Sequence, residues 1–279
     1  MRFVVRPKFD FAEFELLLSY EVQVQPQILD KGKALAIDLG VENFATCVDD
    51  AGQSFIIDGR YLKSILQGFE KYMSKIKSMK HKQRIQGYTK REKSLLNKRQ
   101  NKVEDYLNKS VHYIVDYCIK EKIGNIVVGY GYNFTSSPNL GHQNNQLFSL
   151  IPYFRFFDKL SFQCRKNGIW FKKLNESYTS KASFFDDDPI PESISRKKWE
   201  FSGRRRYRGL YVSKEGIKVN ADLNAALNIM KKFSDTCKLV SSDKIAALQS
   251  RGCKIAPPKR IRVLNQTSFK EGKTLKPQK

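Results

Sequence analysis

The spacing of apolar residues changes several times along this chain. Residues 34–41 (A-L-A-I-D-L-G-V) form a mostly apolar run with one acid inside it and predict a buried strand. Residues 44–50 and 53–58 predict two more strands around an Ala51–Gly52 turn, which suggests an antiparallel meander. The period then becomes helical. Leu62, Ile65, Leu66, Phe69, Tyr72, Met73, Ile76 and Met79 share one face of a helix over 60–82. After a turn at Gly87, a second long helix is predicted over 90–121, completing a helical hairpin. A strand at 125–130 (N-I-V-V-G-Y), a Gly/Asn/Ser-rich loop at 131–145, a helix within 146–167 limited by Pro152, and a strand at 169–175 follow. Residues 177–198 read as irregular, 200–219 as a hairpin turning at Lys214–Gly216, and 220–232 as a short helix capped by Asn220. Residues 14–24 read as a strand with no evident partner, and periodicity fades beyond Ser234.

The order βββ-α-β-α-β-α is that of an RNase H-like α/β domain, a mixed sheet flanked by helices, here with an inserted basic helical hairpin. The division expected is 1–30 as a separate N-terminal segment, 31–232 as the α/β domain with its insertion at 60–122, and 233–279 as a basic tail. Residues 251–279 of that tail, with nine basic residues and one acid, are expected to be disordered.

Charge narrows the function. The chain has 51 Lys and Arg against 28 Asp and Glu, a net charge of +23. Such an excess repels itself and calls for a polyanionic partner, with nucleic acid first in line. The five cysteines are widely spaced and form no C-x-x-C pair, which argues against a disulfide framework or a zinc knuckle. No apolar run is long enough to span a membrane, and the N-terminus lacks a signal core, so a cytoplasmic protein is expected.

Candidate chemistry rests on acids that interrupt or end apolar strands, where a charge is costly without a partner. Hydrolysis of a phosphodiester can use two hard cations held by such carboxylates. Asp38, inside A-L-A-I-D-L-G, is the strongest candidate. Asp222, in V-N-A-D-L-N-A-A-L-N-I, is the second, although an acid in a helix's first turn also suits the helix dipole. The strand at 125–130 carries no acid. Glu176, directly after the strand at 169–175, would lie at the same edge as Asp38 if the strands run parallel, and it also reads as a loop acid. Asp186, Asp187 and Asp188, before Pro189, are a further alternative.

Three blocks, A-I-D-L-G-V-E-N-F-A-T, Y-T-S-K-A-S and R-Y-R-G-L-Y-V-S-K-E-G-I-K-V-N-A-D-L-N-A-A-L-N-I, resemble the TnpB (OrfB) family of insertion sequences over about residues 14–232. These are RNA-guided DNA endonucleases with a RuvC-type nuclease domain. The resemblance implies Asp38 as the first catalytic carboxylate and Asp222 as the last, a two-ion Mg²⁺ site, guide RNA and target DNA as partners, and a bacterial, nucleoid-associated location. It implies a middle Glu where Gly129 and Tyr130 stand. A subgroup with Gly in this strand and E-S-Y-T-S-K-A-S downstream points to Glu176 as the substitute. Most family members carry two Cys pairs between the Y-T-S and R-G-L blocks; residues 183–203 here have none, so no zinc is expected. The family's N-terminal barrel and recognition domain are represented only by 14–24.

Residues 60–102 hold 14 basic residues and two acids. Candidate nucleic-acid contacts are Lys75, Lys77, Lys80, Lys82, Arg84, Lys90, Arg91, Lys98 and Arg99, with Arg204, Arg205, Arg206 and Arg208 as a second cluster. Tyr88 could stack on a base or pack at its turn. His81, His112 and His142 show no triad or ligand spacing. The expected function is a transposon-associated, metal-dependent DNA endonuclease. The rival is a nuclease-inactive RNA/DNA-binding protein or a truncated remnant. A Holliday-junction resolvase is disfavoured by the inserted hairpin.

Overall fold

The structure, a computed structural model, describes residues 2–9, 11–21, 24, 27–131, 148–193, 198–251, 255 and 257–265. The loop expected at 132–145, with His142, and the last stretch of the tail, 266–279, lie outside the described residues.

A six-stranded mixed sheet organises the chain. The meander is β3 (Asp30–Leu39), β4 (Asn43–Asp49) and β5 (Ser54–Asp58), with both pairings antiparallel. β6 (Ile123–Tyr130) runs parallel to β3, and β7 (Trp170–Asn175) parallel to β6. With β11 (Lys259–Ile261) at one edge, the strand order is β11-β5-β4-β3-β6-β7. Residues 34–37 of β3 are apolar without interruption because the sheet is covered on both faces. Leu35, Ile37 and Leu39 face a core made with α1 (Arg60–Lys82), α2 (Lys90–Lys120) and α3 (Tyr153–Lys166). Ala34 and Ala36 face the other core, made with α4 (Ala221–Cys237) and α5 (Ser242–Arg251). Period two therefore puts Asp38 on the α4 face.

The helical hairpin forms as its spacing predicts. α2 starts in a capping box in which Thr89 and Glu92 satisfy each other's backbone N–H. Lys80 of α1 reaches Glu92 at 2.9 Å and so ties the two helices together across the turn.

The structure corrects several expectations. The first strand does have a partner: β1 (Arg2–Lys8) pairs antiparallel with β2 (Glu13–Ser19), which ends at Ser19 rather than 24. α3 starts at Tyr153, since Pro152 interrupts the turn before it. Residues 204–220 make three strands, β8 (Arg204–Tyr207), β9 (Leu210–Val212) and β10 (Lys218–Asn220), in the order β10-β9-β8.

The largest correction concerns the described residues of 233–265. α4 continues to Cys237, α5 follows, and β11 (Lys259–Ile261) adds to the main sheet parallel to β5. Val240, Ile245 and Leu248 are buried against α4, and Ile261 and Val263 join the helical-hairpin core. The apolar residues here are too few per turn to show a period, yet Val240, Ile245, Leu248, Ile261 and Val263 all find places in a core. No helix of the described residues is long and apolar enough to cross a membrane.

Ile261→Ala should therefore destabilise the protein by about 2 kcal/mol, the lower end for a buried Ile truncated near a sheet edge. Denaturant unfolding measures this. An unchanged midpoint would mean that β11 contributes nothing to the fold.

Candidate active site

Asp38 stands one residue before the end of β3. Ile37 pairs with Val128, so Gly129 of β6 is Asp38's neighbour across the parallel pair. Gly129 in turn pairs with Leu174 of β7, and Glu176 follows β7 directly, its N–H donating to the Tyr130 carbonyl at 3.3 Å. Parallel running thus brings Asp38 and Glu176 to one sheet edge. A Cβ added at Gly129 would lie 3.1 Å from Glu176 Oε2, and one at Gly131 would lie 3.0 Å from its Oε1. The Glu176 carboxylate lies over β6, in space that side chains at 129 and 131 would fill. The missing acid in β6 and the presence of Glu176 are two sides of one packing arrangement.

Asp222 reaches the same edge from the first turn of α4. Asn220 caps that helix, accepting from the N–H groups of Asp222 and Leu223 at 3.0 and 3.1 Å. Asp222 Oδ1 is 3.3 Å from an Arg205 guanidinium nitrogen, and its Oδ2 accepts from Asn43 Nδ2 at 2.7 Å.

Asp38 is close enough to the other two acids to feel their charge. The Asp38 carboxyl is pushed well above the usual carboxylate range, first by burial and then by the negative charges of Asp222 and Glu176, with Arg205 opposing. Burial raises the Glu176 carboxyl to about 7, and Lys232 moderates the shift. Among the described residues, no hydrogen-bond donor reaches the carboxylate of Asp38 or Glu176. The donor set is all carboxylate oxygen, which suits a hard divalent cation. No three His, Cys, Asp or Glu groups among the described residues are arranged as ligands of a single ion.

The loop after Glu176 is fixed from below by residues that carry no obvious signature of chemistry. Asn224 Nδ2 donates to the Ala182 carbonyl at 2.8 Å, and its Oδ1 accepts from the Phe184 N–H at 3.1 Å. Asn228 Nδ2 donates to the carbonyls of Thr179 and Ala182 at 2.8 and 2.7 Å. Both asparagines are fully buried. Lys232, one turn further on, donates to the carbonyls of Asn175 and Pro191 at 2.8 and 2.9 Å. Burial lowers its pKa. The signal for these roles is the spacing of Asn220, Asn224, Asn228 and Lys232, a polar residue every fourth position on one helix face.

The alternative acids are engaged elsewhere. Asp188 accepts from the N–H groups of Ser183 and Ser202 at 2.8 and 3.0 Å, so a carboxylate closes the segment 183–202. Asp186 accepts from the Lys214 N–H at 2.8 Å, and Asp187 pairs with Lys231 at 2.5 Å.

Among the basic candidates, Lys75, Lys77 and Lys82 on α1, Arg84 in the turn, and Lys90, Arg91 and Lys98 on α2 are exposed. Lys80 is committed to Glu92 and the Gly87 carbonyl. Arg99 is half-buried, its guanidinium 5.0 Å from the Phe69 ring centre. Tyr88 packs edge-on against Phe9 at 5.3 Å. Arg204, Arg205 and Arg206 on β8 and Arg208 just after it are all exposed; Arg205 reaches Asp222, and Arg208 lies 3.5 Å from Glu42.

Known proteins match the segments that carry these three acids. A family model described as probable transposase (OrfB of IS605) matches residues 17–135, and the Cas12f1-like TNB domain matches 153–229. A TnpB-like protein of Acidianus two-tailed virus is 21% identical over 207 residues, 72% of this chain and 42% of its own length. These matches make the chain similar to TnpB-family proteins over most of its length. Among solved structures, a CRISPR-Cas12f ternary complex aligns with a TM-score of 0.51 at 20% identity, covering 81% of this chain and 44% of that one. A Cas12f1–sgRNA–target DNA complex gives a TM-score of 0.49 at 24% identity, covering 77% of this chain and 52% of that one. This chain thus spans about half the length of the proteins it matches. The likeness to the ternary complex extends to the fold, a mixed sheet with helices.

Raised carboxyl pKa values have a measurable consequence. Between the ordinary carboxylate range and about 7, the folded chain binds more protons at Glu176 than the unfolded chain does. Its contribution to stability is therefore fully present below that range and is lost as pH climbs toward 7. In chelator-containing buffer, Glu176→Gln should show a smaller loss of stability between about pH 5 and 8 than the parent. Superimposable pH profiles would contradict the burial of this acid.

Proposed function

We propose that residues 31–232 form a RuvC-type, RNase H-like nuclease domain, and that the chain hydrolyses DNA phosphodiester bonds with Mg²⁺ under the direction of a guide RNA. The observation that carries this reading is the convergence of Asp38, Glu176 and Asp222 on the α4 face of one sheet edge, with Glu176 lying over Gly129. Similarity to TnpB-family proteins and the exposed basic surfaces support the nucleic-acid partners.

Asp38, Glu176 and Asp222 would hold the ions, which when bound stabilise charge on the attacking and leaving oxygens. The protein's own contributions are separate. Glu176, whose carboxyl burial raises to about 7, gives up its proton before it can hold an ion. Asn224, Asn228 and Lys232 fix the loop on which it sits. Arg204 and Arg206 project from the strand that carries Arg205 and offer guanidinium forks for phosphate oxygens. Guide pairing, rather than side chains, would select the sequence cut.

A specific observation favours a second reading, binding without cutting: Arg205 already pairs with Asp222, and no three-ligand set is preformed among the described residues.

The deciding experiment is Mg²⁺-dependent cleavage of target DNA by the protein with its co-purified RNA. Asp38→Ala, Glu176→Gln and Asp222→Ala should each reduce cutting to background while leaving RNA binding intact. Gly129→Glu combined with Glu176→Gly and Ile229→Val should retain cutting, since the first supplies an acid in the space the second vacates and the third removes the Ile229 Cδ1 that would lie 2.6 Å from the new Cβ. RNA and DNA binding by the parent without cleavage would support the second reading instead.

The basic surface has its own test. Replacing Lys75, Lys77, Lys82 and Arg84 by Ala should weaken RNA binding and flatten its salt dependence. The log–log slope should fall by about 0.7 for each single-strand phosphate that the hairpin no longer neutralises. An unchanged slope would remove this face of the hairpin from the interface.

A further inference from the structure

The chain of contacts behind Asp222 extends to the C-terminal strand. Asp222 Oδ2 accepts from Asn43 Nδ2 at 2.7 Å, and Asn43 Oδ1 accepts from an Arg260 guanidinium N–H at 2.7 Å. Asn43 opens β4, opposite Asp58 of β5, and Arg260 lies in β11, paired with Ile56. The Asn43 amide has one favourable orientation here. Its NH₂ faces a carboxylate and its oxygen faces a guanidinium; turned over, it would set oxygen against carboxylate and NH₂ against guanidinium. Arg260 therefore decides which end of Asn43 meets Asp222.

Arg260 is itself well placed to do this. A second guanidinium nitrogen lies 3.5 Å from Asp58 Oδ1, and Asp58 is held in turn by Arg60. The neighbouring side chains Ile261 and Val263 are buried in the core under the helical hairpin. Arg205 holds the other oxygen of Asp222 from the exposed strand β8. Asn43 and Arg260 provide the more rigid support, since both lie in the main sheet.

We infer that Arg260 and Asn43 are positioning residues that orient the Asp222 carboxylate toward metal, so that β11 is a working part of the site. The inference rests on the proposed reading of Asp222 as a metal-binding carboxylate. Outer partners of ligating groups commonly govern metal affinity by 10–100-fold, because they fix orientation before the ion arrives.

The test is Mn²⁺ binding to the full chain, followed by calorimetry or electron paramagnetic resonance, with thermal unfolding measured alongside. Arg260→Gln and Asn43→Ala should each weaken Mn²⁺ binding about 10-fold. The double variant should lose no more than the larger single loss, since the two act in series. Arg260→Lys should recover part of the affinity by restoring a cationic donor. Asn43→Ala leaves β11 untouched and keeps the test open if Arg260→Gln fails to fold. Asp222→Asn separates the two levels. If it loses Mn²⁺ while Arg260→Gln and Asn43→Ala bind like the parent, the positioning role is overturned and the metal site stands. If Asp222→Asn itself binds like the parent, the underlying reading falls and the inference with it. Losses that multiply in the double variant would also overturn the relay, as would a drop in melting temperature with affinity unchanged.

Discussion

The dominant constraint on this molecule is electrostatic. Asp38 sits in an apolar strand, and the charges of Glu176, just after β7, and Asp222, at the start of α4, both act on it. Burial and like-charge repulsion both oppose ionisation there. A single buried acid can be accommodated by donors, but Asp38 and Glu176 have none among the described residues. The fold holds them together by fixing their backbones instead. Gly129 and Gly131 leave room for the Glu176 side chain. Buried Asn224 and Asn228 hold the following loop against α4, and Lys232 clamps the carbonyl just before Glu176. The favourable terms that stabilise the site lie in neutral amide contacts and one buried ammonium, outside the carboxylates themselves.

This arrangement accounts for the density of the last sequence block. In N-A-D-L-N-A-A-L-N-I, one face of α4 carries the cap, the loop anchors and, further on, Lys232. The adjacent face supplies Leu223, Ala226, Leu227 and Met230 to the core. Asp222 falls between them at the helix start, where its N–H also meets the Asn220 cap. One helix therefore packs the sheet, positions the neighbouring loop and presents an acid. Few of its positions are free to change without disturbing one of these tasks.

The sheet's core strands and both long helices are legible in the sequence because each shows a sustained period: two-sided burial in β3, and a stripe repeating over several turns in α1 and α2. The candidate acids stand out because they interrupt apolar runs. What stays hidden lacks such a signal. β1 and β2 pair mainly with each other and leave Phe3, Val5, Phe14 and Leu16 exposed, so their pattern does not mark a core face. β11 is three residues long, too short for any period. Asn43 and Arg260 are 217 positions apart and meet only through the strand order of the sheet. Lys80 and Arg99 read as surface cations, and only the packing of the hairpin shows them turned inward.

The edgewise addition of β11 also sets a schedule for synthesis. Its partner β5 is made early, and the ribosome adds roughly 5–20 residues per second. Arg260 thus follows Asp222 by about 2–8 s. During that interval the acids and most of the sheet are present, while the support behind Asn43 has yet to be translated. A nascent chain therefore passes through a stage at which it has its core and its carboxylates but not the brace behind one of them.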